Sequence, residues 1–435
     1  MNYTREIDSL VVEKVQKDID RYYRDYKKIK ERQKDSDAYY HGEPVPFLYN
    51  ARYYTQEELE DFRDIVKEAT ELFNRARDIF ERDEKLRKLW RFSDLEEELC
   101  LIKSRVEPFF PISSMDVFYR GKDDYTFCEI NTDGSSAMLE DRALFELYRD
   151  SELFNELNEK FIQKPFELFD SWVSNFLEHS PCGIDNPVVG IVDIEVDKRE
   201  FIRFKEAFEK RGIRTFLIKV EDLKCRDDGY LYYNNQRVDM IYRRLVTSDL
   251  LRNLDKCQEF IKGIREQKTV FVGEIKSQII HNKSFFAVLH NKEFQKKLNK
   301  SQIEFINRHI PYTKFLDEVD IDKINKDEYL LKPTDSYASN GVYALRDLTQ
   351  KEFGDLLSKI DTENYLIQKY ADLPIIEMID FESDKVVEDY FQITGLFCYN
   401  AKLQGLYSRA GQRSLISGIH GGRTLASVKI GNRDE

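Results

Sequence analysis

The sequence predicts a mixed fold, in which an α/β part and an α+β part follow a helical N-terminal region. Between about residues 185 and 278 the apolar segments VVGIVDIE and IRTFLIKV flank the amphipathic segment FIRFKEAFEKRG, and this order is typical of a βαβ unit. From 279 to 435, helical segments alternate with apolar runs that predict mostly antiparallel strands. The first 105 residues carry apolar residues at helical spacing with dense charge between them.

Length and composition limit the classes of protein that the chain can represent. A chain of 435 residues exceeds a single core, so two or three domains are expected. The net charge of −13 argues against a nucleic-acid partner and against an anionic membrane partner. No apolar stretch approaches the roughly 20 residues that cross a bilayer, and the start MNYTREIDSL lacks the features of a signal peptide. The six cysteines are scattered without a CxxC pair, which predicts reduced thiols and a cytoplasmic location.

The predicted elements divide the chain into four parts. A helical N-terminal region covers 1–105, and 106–184 holds a hairpin (strands 115–119 and 125–130) followed by a helical stretch from 139 to about 179. The α/β part at 185–278 includes a turn at Asn234-Asn235 between apolar arms. The last part, 279–435, is predicted to contain strands at 329–332, 342–345, 365–369, 390–399 and 403–408.

The predicted hairpin carries polar side chains on one face. Glu129 and Asn131 lie two positions apart on a strand and therefore face the same side, and Asp116 on the partner strand can lie opposite them. Two carboxylates and an amide oxygen on one face make a hard-oxygen site that suits Mg²⁺. The alternative is a polar sheet face that is exposed to solvent.

The segment YLLKPTDSYASNGVY, residues 329–343, predicts two strands joined by a small polar loop. Lys332 stands at the foot of this loop, which includes Ser336, Asn340 and Gly341. Hydroxyl groups and backbone N–H groups can surround a triphosphate, and the lysine adds a positive charge. The segment therefore predicts a nucleotide site, and the alternative is an ordinary hairpin with a long turn.

Two further segments offer polar groups to a nucleotide. Lys283 begins a predicted helix, NKSFFAVLH, although a lysine at such a place is more often a surface residue. Gln368 and Lys369 end the predicted strand YLIQKY before a Leu-Pro turn, where backbone and side-chain groups can meet an adenine edge. A plain strand end is the alternative for this pair.

Arginines at strand ends and a glycine-rich loop predict an anion site. Arg409 ends the strand GLYSR, and the loop ISGIHGGRTLASV contains Gly421 and Gly422, whose backbone can approach a phosphate or carboxylate closely. Arg243 and Arg244 end the strand DMIYRR and suit a carboxylate or phosphate. A mobile surface loop and a structural ion pair are the respective alternatives.

Taken in order, these motifs resemble the ATP-grasp ligases, in particular the circularly permuted branch of glutathionylspermidine synthase and eukaryotic-type glutathione synthetase. FCEINTDGSS is similar to the family's E-x-N metal motif, HNKSFF to the segment with the first nucleotide lysine, and LLKPTDSYASNGVY to the second lysine with its phosphate-covering loop. YLIQKY resembles the adenine hinge, and SRAG and IHGGRTLAS resemble the substrate-side arginine and the glycine-rich lid. The resemblance runs from about residue 116 to about 423.

The resemblance implies an ATP-grasp fold, with a pre-ATP-grasp α/β domain at 185–278 and a nucleotide-binding domain at 279–435, to whose core the 106–184 hairpin contributes. The implied cofactors are ATP and Mg²⁺. The implied site residues are the metal ligands Asp116, Glu129 and Asn131, the nucleotide contacts Lys283, Lys332, Ser336, Asn340, Gly341, Gln368, Lys369, Gly421 and Gly422, and the catalytic or substrate contacts Arg409 and Arg243.

The activity that the resemblance implies is ATP-dependent carboxylate–amine ligation. A small-molecule carboxylate attacks the γ-phosphate to give an acyl phosphate, and an amine then displaces phosphate to give an amide. The alternatives are a non-catalytic ATP-binding module and an ATP-grasp phosphotransferase. The identities of the carboxylate and the amine stay open, and so does the oligomeric state, for which a homodimer is allowed.

The chain departs from the family pattern near the first metal ligand. In the synthase an arginine stands two residues before the metal aspartate, whereas this chain has Ser114 there, and Arg105 or Arg120 are the candidates to replace that arginine. No amidase domain with a leading cysteine is visible, so the bifunctional synthase/amidase arrangement is not expected. These departures bear on the substrate more than on the ATP site.

Overall fold

The chain begins with a helical region, as its charge pattern predicts. The structure, a computed structural model, describes residues 3–40, 42–336, 339–416, 418 and 421–432. The elements of the first 105 residues are α1 (Tyr3–Lys17), α2 (Ile19–Gln33), β1 (Tyr39–Tyr40), β2 (Glu43–Pro44), β3 (Arg52–Tyr54), α3 (Gln56–Arg82), α4 (Glu84–Arg87) and α5 (Asp94–Leu101).

Helix α3 shows why this region is helical. It begins at a capping box, in which the Thr55 hydroxyl accepts from the Glu58 N–H and the Glu58 carboxylate accepts from the Thr55 N–H. Its apolar residues recur at helical spacing, and Phe62, Phe73 and Phe80 are completely buried against the rest of the chain. Within the described residues no helix combines the length and the apolar character needed to cross a membrane.

The predicted hairpin forms, but the segment after it is not wholly helical. The elements are β4 (Ile112–Gly121), β5 (Asp124–Asn131), α6 (Met138–Arg149), α7 (Glu152–Leu157), β6 (Phe161–Pro165) and α8 (Asp170–Leu177). The prediction of a helical stretch from 139 to about 179 is therefore wrong at β6. Residues 161–164 alternate between buried and exposed, and they pair with a strand near the end of the chain, so their partner is not visible in the local sequence.

The predicted βαβ unit is confirmed. Its elements are β7 (Val189–Asp193), α9 (Arg199–Lys210), β8 (Thr215–Lys219), β9 (Lys224–Cys225), β10 (Leu231–Tyr233), β11 (Gln236–Val238), β12 (Met240–Arg243), α10 (Thr247–Arg252), α11 (Leu254–Glu266) and β13 (Val270–Val272). Four strands form a parallel sheet in the order β13-β12-β7-β8. The turn between β10 and β11 lies at Asn234 and Asn235, both with positive φ, as the sequence predicts.

The last part contains helices followed by mostly antiparallel strands. Its elements are α12 (Gln278–His281), α13 (Ser284–Leu289), α14 (Lys292–Gln295), α15 (Lys300–His309), β14 (Thr313–Phe315), β15 (Tyr329–Pro333), β16 (Tyr343–Ala344), α16 (Gln350–Leu357), β17 (Tyr365–Lys369), β18 (Ile375–Ile379), β19 (Val387–Tyr399), β20 (Lys402–Gly411), β21 (Arg423–Leu425) and β22 (Ser427–Asn432). The strand predicted at 342–345 is shorter in the structure, while β19 and β20 extend beyond their predicted bounds.

Two antiparallel sheets of this last part position the candidate site. One is four-stranded, in the order β14-β17-β15-β16, and has a small apolar core of its own. The other is six-stranded, in the order β21-β20-β19-β4-β5, with β18 paired to β19. The hairpin β4–β5 thus joins the strands near the end of the chain, because β4 pairs with β19 along six residues.

Candidate functional site

A row of residues crosses the six-stranded sheet on one face. Glu129 of β5 lies opposite Asp116 of β4, and Asp116 lies opposite Gly395 of β19. Gly395 in turn lies opposite Tyr407 of β20. Directly opposed residues of antiparallel strands point to the same face, so these four positions share one surface that spans about 15 Å at the usual strand spacing. We call these four residues the cross-strand row.

Gly395 leaves an opening in the middle of the cross-strand row. A Cβ atom at this position would lie 3.0 Å from Asp116 Oδ1 and 3.3 Å from Ser114 Oγ, closer than the roughly 3.5 Å of an ordinary contact. Arg409 on β20 reaches Asp116 on β4, with β19 between these two strands. Because Gly395 has no side chain, the space above β19 is open, and Arg409 reaches Asp116 across this space.

Arg409 and Asp116 form the central ion pair of the site. Arg409 Nη2 donates to Asp116 Oδ2 at 2.6 Å, and the Ser114 hydroxyl donates to Asp116 Oδ1 at 3.1 Å. The Asp116 side chain is 3% exposed and that of Arg409 is 27% exposed. Burial and the nearby Glu129 raise the pKa of Asp116, while Arg409 opposes this rise. Burial alone would lower the pKa of Arg409, but Asp116 raises it, so the arginine remains charged.

Glu129 carries the negative charge at the other end of the row. Asn131 Nδ2 donates to Glu129 Oε1 at 3.1 Å, and Lys283 Nζ lies 3.7 Å from Glu129 Oε2. Burial alone would raise the pKa of Glu129, but Lys283 and Lys332 lower it to about 2. The carboxylate is therefore ionised at neutral pH and faces two cations.

The two predicted nucleotide lysines approach the hairpin from the side of the four-stranded sheet. Lys332 on β15 is 7% exposed, and its ammonium group donates to the Cys128 carbonyl at 3.1 Å. Lys283 precedes α13, where its N–H donates to the Thr334 carbonyl at 2.8 Å and its ammonium group donates to the Ser336 carbonyl at 2.5 Å. The loop after Lys332 thus holds Lys283 next to Glu129.

The polar loop after Lys332 folds back on itself. The Ser336 hydroxyl donates to the Asn340 carbonyl at 2.6 Å. Gly341 has φ +73°, a backbone conformation that favours glycine, and a Cβ atom there would lie 2.8 Å from the Tyr365 hydroxyl, so a larger residue would displace that hydroxyl. Residues 337 and 338 of the loop lie outside the described residues.

The predicted hinge residues have different surroundings. Gln368 is buried, and its Nε2 donates to the Thr313 hydroxyl at 2.9 Å, so its side chain is used within the four-stranded sheet. Lys369 is exposed and lies 3.7 Å from Glu328 Oε2, while its N–H donates to the Tyr312 carbonyl. Neither makes a described contact with the ion pairs of the cross-strand row.

The glycine-rich loop leads back to Arg409. Gly421 has φ +80°, and its N–H donates to the Gly418 carbonyl at 3.2 Å, while Gly422 is buried. The strand that follows pairs with β20 and places Thr424 opposite Arg409. Residues 417, 419 and 420 of the predicted lid lie outside the described residues.

Arg243 lies apart from this group, in a buried ion pair. Its Nη1 is 2.6 Å from Asp133 Oδ1, and both side chains are only 1% exposed. Arg243 also donates to the carbonyls of Gly273 and Leu245, so its donors are used inside the protein. Asp133 belongs to the loop after β5 and also accepts from the Thr247 N–H at 2.7 Å. The geometry therefore favours the structural ion pair that the sequence left open.

Ser114, Gly395 and Tyr407 also belong to the site, although the sequence patterns did not assign them to it. Ser114 lies two positions before Asp116 on the same strand face, so strand alternation alone contained that signal. Gly395 and Tyr407 join the site through long-range strand pairing, which no local pattern of residues predicts. Arg120 and Arg105 were the candidates to replace the arginine that the synthase has near its metal aspartate. Arg120 pairs with Asp124, and Arg105 donates to the Lys268 carbonyl, so neither makes a described contact with Asp116. The guanidinium group at Asp116 comes from Arg409 instead.

The donor set fits a phosphorylated nucleotide with a divalent cation. Asp116, Glu129 and Asn131 offer side-chain oxygens, the ligands that Mg²⁺ prefers. The described residues contain no group of three or more His, Cys, Asp or Glu side chains arranged to hold a metal ion, so the predicted set depends on the amide. The Lys332 ammonium group makes one described hydrogen bond and keeps further donors for anionic oxygens.

Comparisons with known proteins bear on the fold. No protein-family model and no curated protein sequence matches the chain. Among solved structures, the chain is similar to a glutathione synthetase-like effector from Globodera pallida in its apo form. The identity is 11%, the TM-score is 0.57, and the match covers 93% of this chain and 96% of that one. The chain therefore has a glutathione synthetase-like fold.

Proposed function

We propose that the protein is an ATP- and Mg²⁺-dependent carboxylate–amine ligase with an ATP-grasp domain organisation. The observation that carries this proposal is the meeting of two carboxylates, Asp116 and Glu129, with three cations on one sheet face. The cations are Lys283, Lys332 and Arg409. The similarity in fold to a glutathione synthetase-like effector supports the proposal.

In this proposal ATP is a substrate whose phosphates are held by Lys283 and Lys332. The positive charges of both ammonium groups lower the pKa of Glu129, which shows that they lie near its carboxylate. An anionic ligand at this place would therefore meet positive charge that is already in position. When bound by Asp116, Glu129 and Asn131, Mg²⁺ would neutralise phosphate charge and polarise the transferred phosphoryl group. The polar loop with Ser336, Asn340 and Gly341 would cover the phosphates, and Gln368 and Lys369 would lie at the adenine.

Arg409 is assigned to the substrate carboxylate. Its Nε is buried and has no hydrogen-bond partner among the described residues, although its guanidinium group is partly exposed. A carboxylate oxygen forms a bond to the γ-phosphorus as ADP leaves, and the amine nitrogen then forms the amide bond as phosphate leaves. Gly421 and Gly422 belong to a lid that would keep water from the acyl phosphate. Arg243 is assigned a positioning role, because it holds the loop after β5 through Asp133.

The test is ADP release from Mg-ATP in the presence of pooled amino acids, small peptides and polyamines, with hydroxylamine as a trap for acyl phosphates. We expect ADP that depends on one pool, together with a hydroxamate. Glu129→Gln should lose this activity while its unfolding curve stays cooperative. Asp389→Asn, which changes an exposed carboxylate on β19, should keep it. Normal turnover by Glu129→Gln would remove the carboxylate from the proposed site.

A non-catalytic ATP-binding module is the second candidate, and one contact favours it. Arg409 already neutralises Asp116 at 2.6 Å, so this carboxylate is paired without any added cation. A module of this kind would bind ATP and stabilise the protein without consuming the nucleotide. ATP binding with no ADP and no hydroxamate from any pool would support it over the ligase.

A further inference from the structure

The cross-strand row continues beyond Tyr407 to a carboxylate that no predicted motif contains. Glu140 lies in the first turn of α6, and its Oε2 accepts from the Tyr407 hydroxyl at 2.9 Å. Tyr407 ends the row on β20, whereas Glu129 ends it on β5 beside the lysines. Glu140 therefore contacts the end of the row that lies away from the proposed phosphate site, and three strand spacings, about 15 Å, separate Tyr407 from Glu129.

The negative charge of Glu140 has no ion-pair partner among the described residues. The nearby cation, Arg409, is bound to Asp116. The nearby anion, Glu200, is itself satisfied, because one oxygen pairs with Arg244 at 3.0 Å and the other accepts from the N–H groups of Met138 and Leu139. Of the two Glu140 oxygens, only the one that faces Tyr407 has a described partner.

The Glu140 carboxylate is half-buried and has lost part of its hydration. Among the described residues it has one hydrogen-bond donor and no paired cation to replace that hydration. Burial and the nearby Glu200 raise the pKa of Glu140, the Tyr407 hydroxyl and Arg409 lower it, and the net pKa is about 7. The residue is not completely enclosed, since part of its surface remains exposed. A ligand with a positive charge and N–H donors would supply the paired cation and a hydrogen-bond donor for the second carboxylate oxygen.

We propose that Glu140, oriented by the Tyr407 hydroxyl, binds a positively charged nitrogen of the amine substrate other than the nitrogen that forms the amide bond. This inference rests on the proposed function in one respect, namely that the face of the cross-strand row is the substrate surface. The carboxylate substrate then lies near Arg409, in the middle of the row, and the charged group of the amine lies beyond it. Glu140 is a binding residue and takes no part in phosphoryl transfer.

Amine binding can be measured without turnover. The probes are n-butylamine, putrescine, glycine and glycylglycine, with 1-butanol as the uncharged analogue, titrated calorimetrically at pH 8 with and without a non-hydrolysable ATP analogue. We expect at least one amine, but not 1-butanol, to bind the wild-type protein. Glu140→Gln should raise its dissociation constant about tenfold or more, because a charge-assisted hydrogen bond is lost.

Two further variants separate binding from structure. Tyr407→Phe removes the orienting hydroxyl and leaves the carboxylate, so it should weaken binding less than Glu140→Gln. Glu146→Gln removes a partly exposed carboxylate from the same helix, where it pairs with Arg142 and Arg149, and should leave binding unchanged. Wild-type affinity should fall between pH 8 and pH 6 as Glu140 takes up a proton, whereas Glu140→Gln should show no such fall.

The outcomes distinguish this inference from the proposed function. If no probe binds the wild-type protein, or if Glu140→Gln binds as tightly as wild type, the assignment of Glu140 is wrong whatever the ADP assay gives. Amine binding that depends on Glu140, without ADP release from any pool, would keep Glu140 as an ammonium-binding residue and reject the ligase.

Discussion

Arg409 and Asp116 are 293 positions apart in the chain and meet at 2.6 Å on one face of the six-stranded sheet. Their pairing connects the two halves of the candidate site, because Asp116 belongs to the hairpin with Glu129 and Arg409 belongs to the strands near the end of the chain. The pair also explains how a carboxylate can be buried at this place. Each partner therefore contributes to the fold as well as to the proposed chemistry.

Removing Arg409 should be costly for the fold. Arg409→Met leaves Asp116 buried without its cation, and we expect the free energy of unfolding in urea at pH 7.5 to fall by about 3 kcal/mol. Arg265→Met breaks an exposed pair with Glu98, in which both side chains are about half exposed, and should cost at most about 1 kcal/mol. Equal losses for the two variants would contradict a stabilising pair at Asp116.

Filling the opening at Gly395 should disturb the same pair. Gly395→Val places methyl groups against Asp116 and Ser114, and overpacking of this kind costs roughly 1–3 kcal/mol. Urea unfolding measures the loss, and a crystal structure should show Asp116 displaced from Arg409. The matched control is Gly431→Val on β22, because nothing lies within 4 Å of a Cβ atom there. If both variants are as stable as wild type, the opening is not needed.

Asp141 should make stability depend on pH in a defined direction. Burial, opposed by hydrogen bonds from Ser427, raises the pKa of Asp141 from 3.8 to about 7, so the folded state favours the protonated form. The resulting penalty is absent below about pH 4 and grows as the pH rises to 7. Asp141→Asn keeps an acceptor for the Ser427 N–H, at 3.0 Å in the wild type, without the charge.

We therefore expect Asp141→Asn to raise the urea midpoint at pH 8 and to lose this advantage progressively as the pH falls toward 4. The exposed Asp389→Asn should show no such trend. An advantage for Asp141→Asn that grows as the pH falls would show that the sign is wrong.

Lys332 should contribute to nucleotide affinity. Lys332→Met removes a nearly buried ammonium group that acts on Glu129, and we expect the dissociation constant of Mg-ATP to rise about tenfold or more. Lys323→Met changes a lysine of the same part of the chain whose side chain is 80% exposed, and it should leave the affinity unchanged. Equilibrium dialysis measures both. Identical constants for Lys332→Met and wild type would place the phosphates elsewhere.

The part of the site that local patterns could predict is the hairpin. Glu129 and Asn131 share a face because side chains alternate along a strand, and Asp116 does lie opposite Glu129. The βαβ unit was predictable for the same reason, since its strands and helix have distinct periods. In both cases the information lies within a few consecutive residues.

What could not be predicted depends on partners far away in the chain. Strand β6 is stabilised by pairing with β22, which is far away in the chain. Because that partner is not visible locally, the short segment was predicted to belong to a helical stretch. The sequence could not decide between a ligand contact and an ion pair for Arg243, because its partner Asp133 is more than a hundred residues earlier. The opening at Gly395 is meaningful only once β19 lies between β4 and β20.

The pairing of β4 with β19 also sets an order of events during synthesis. Arg409 is added 293 residues after Asp116, which takes roughly 15–60 s at the usual rate of translation. For that interval the nascent hairpin presents an unpaired strand edge and a carboxylate without its arginine. The face that carries the cross-strand row is therefore incomplete until β20 has been synthesised, and chaperones can act at the edge of β4 throughout that interval.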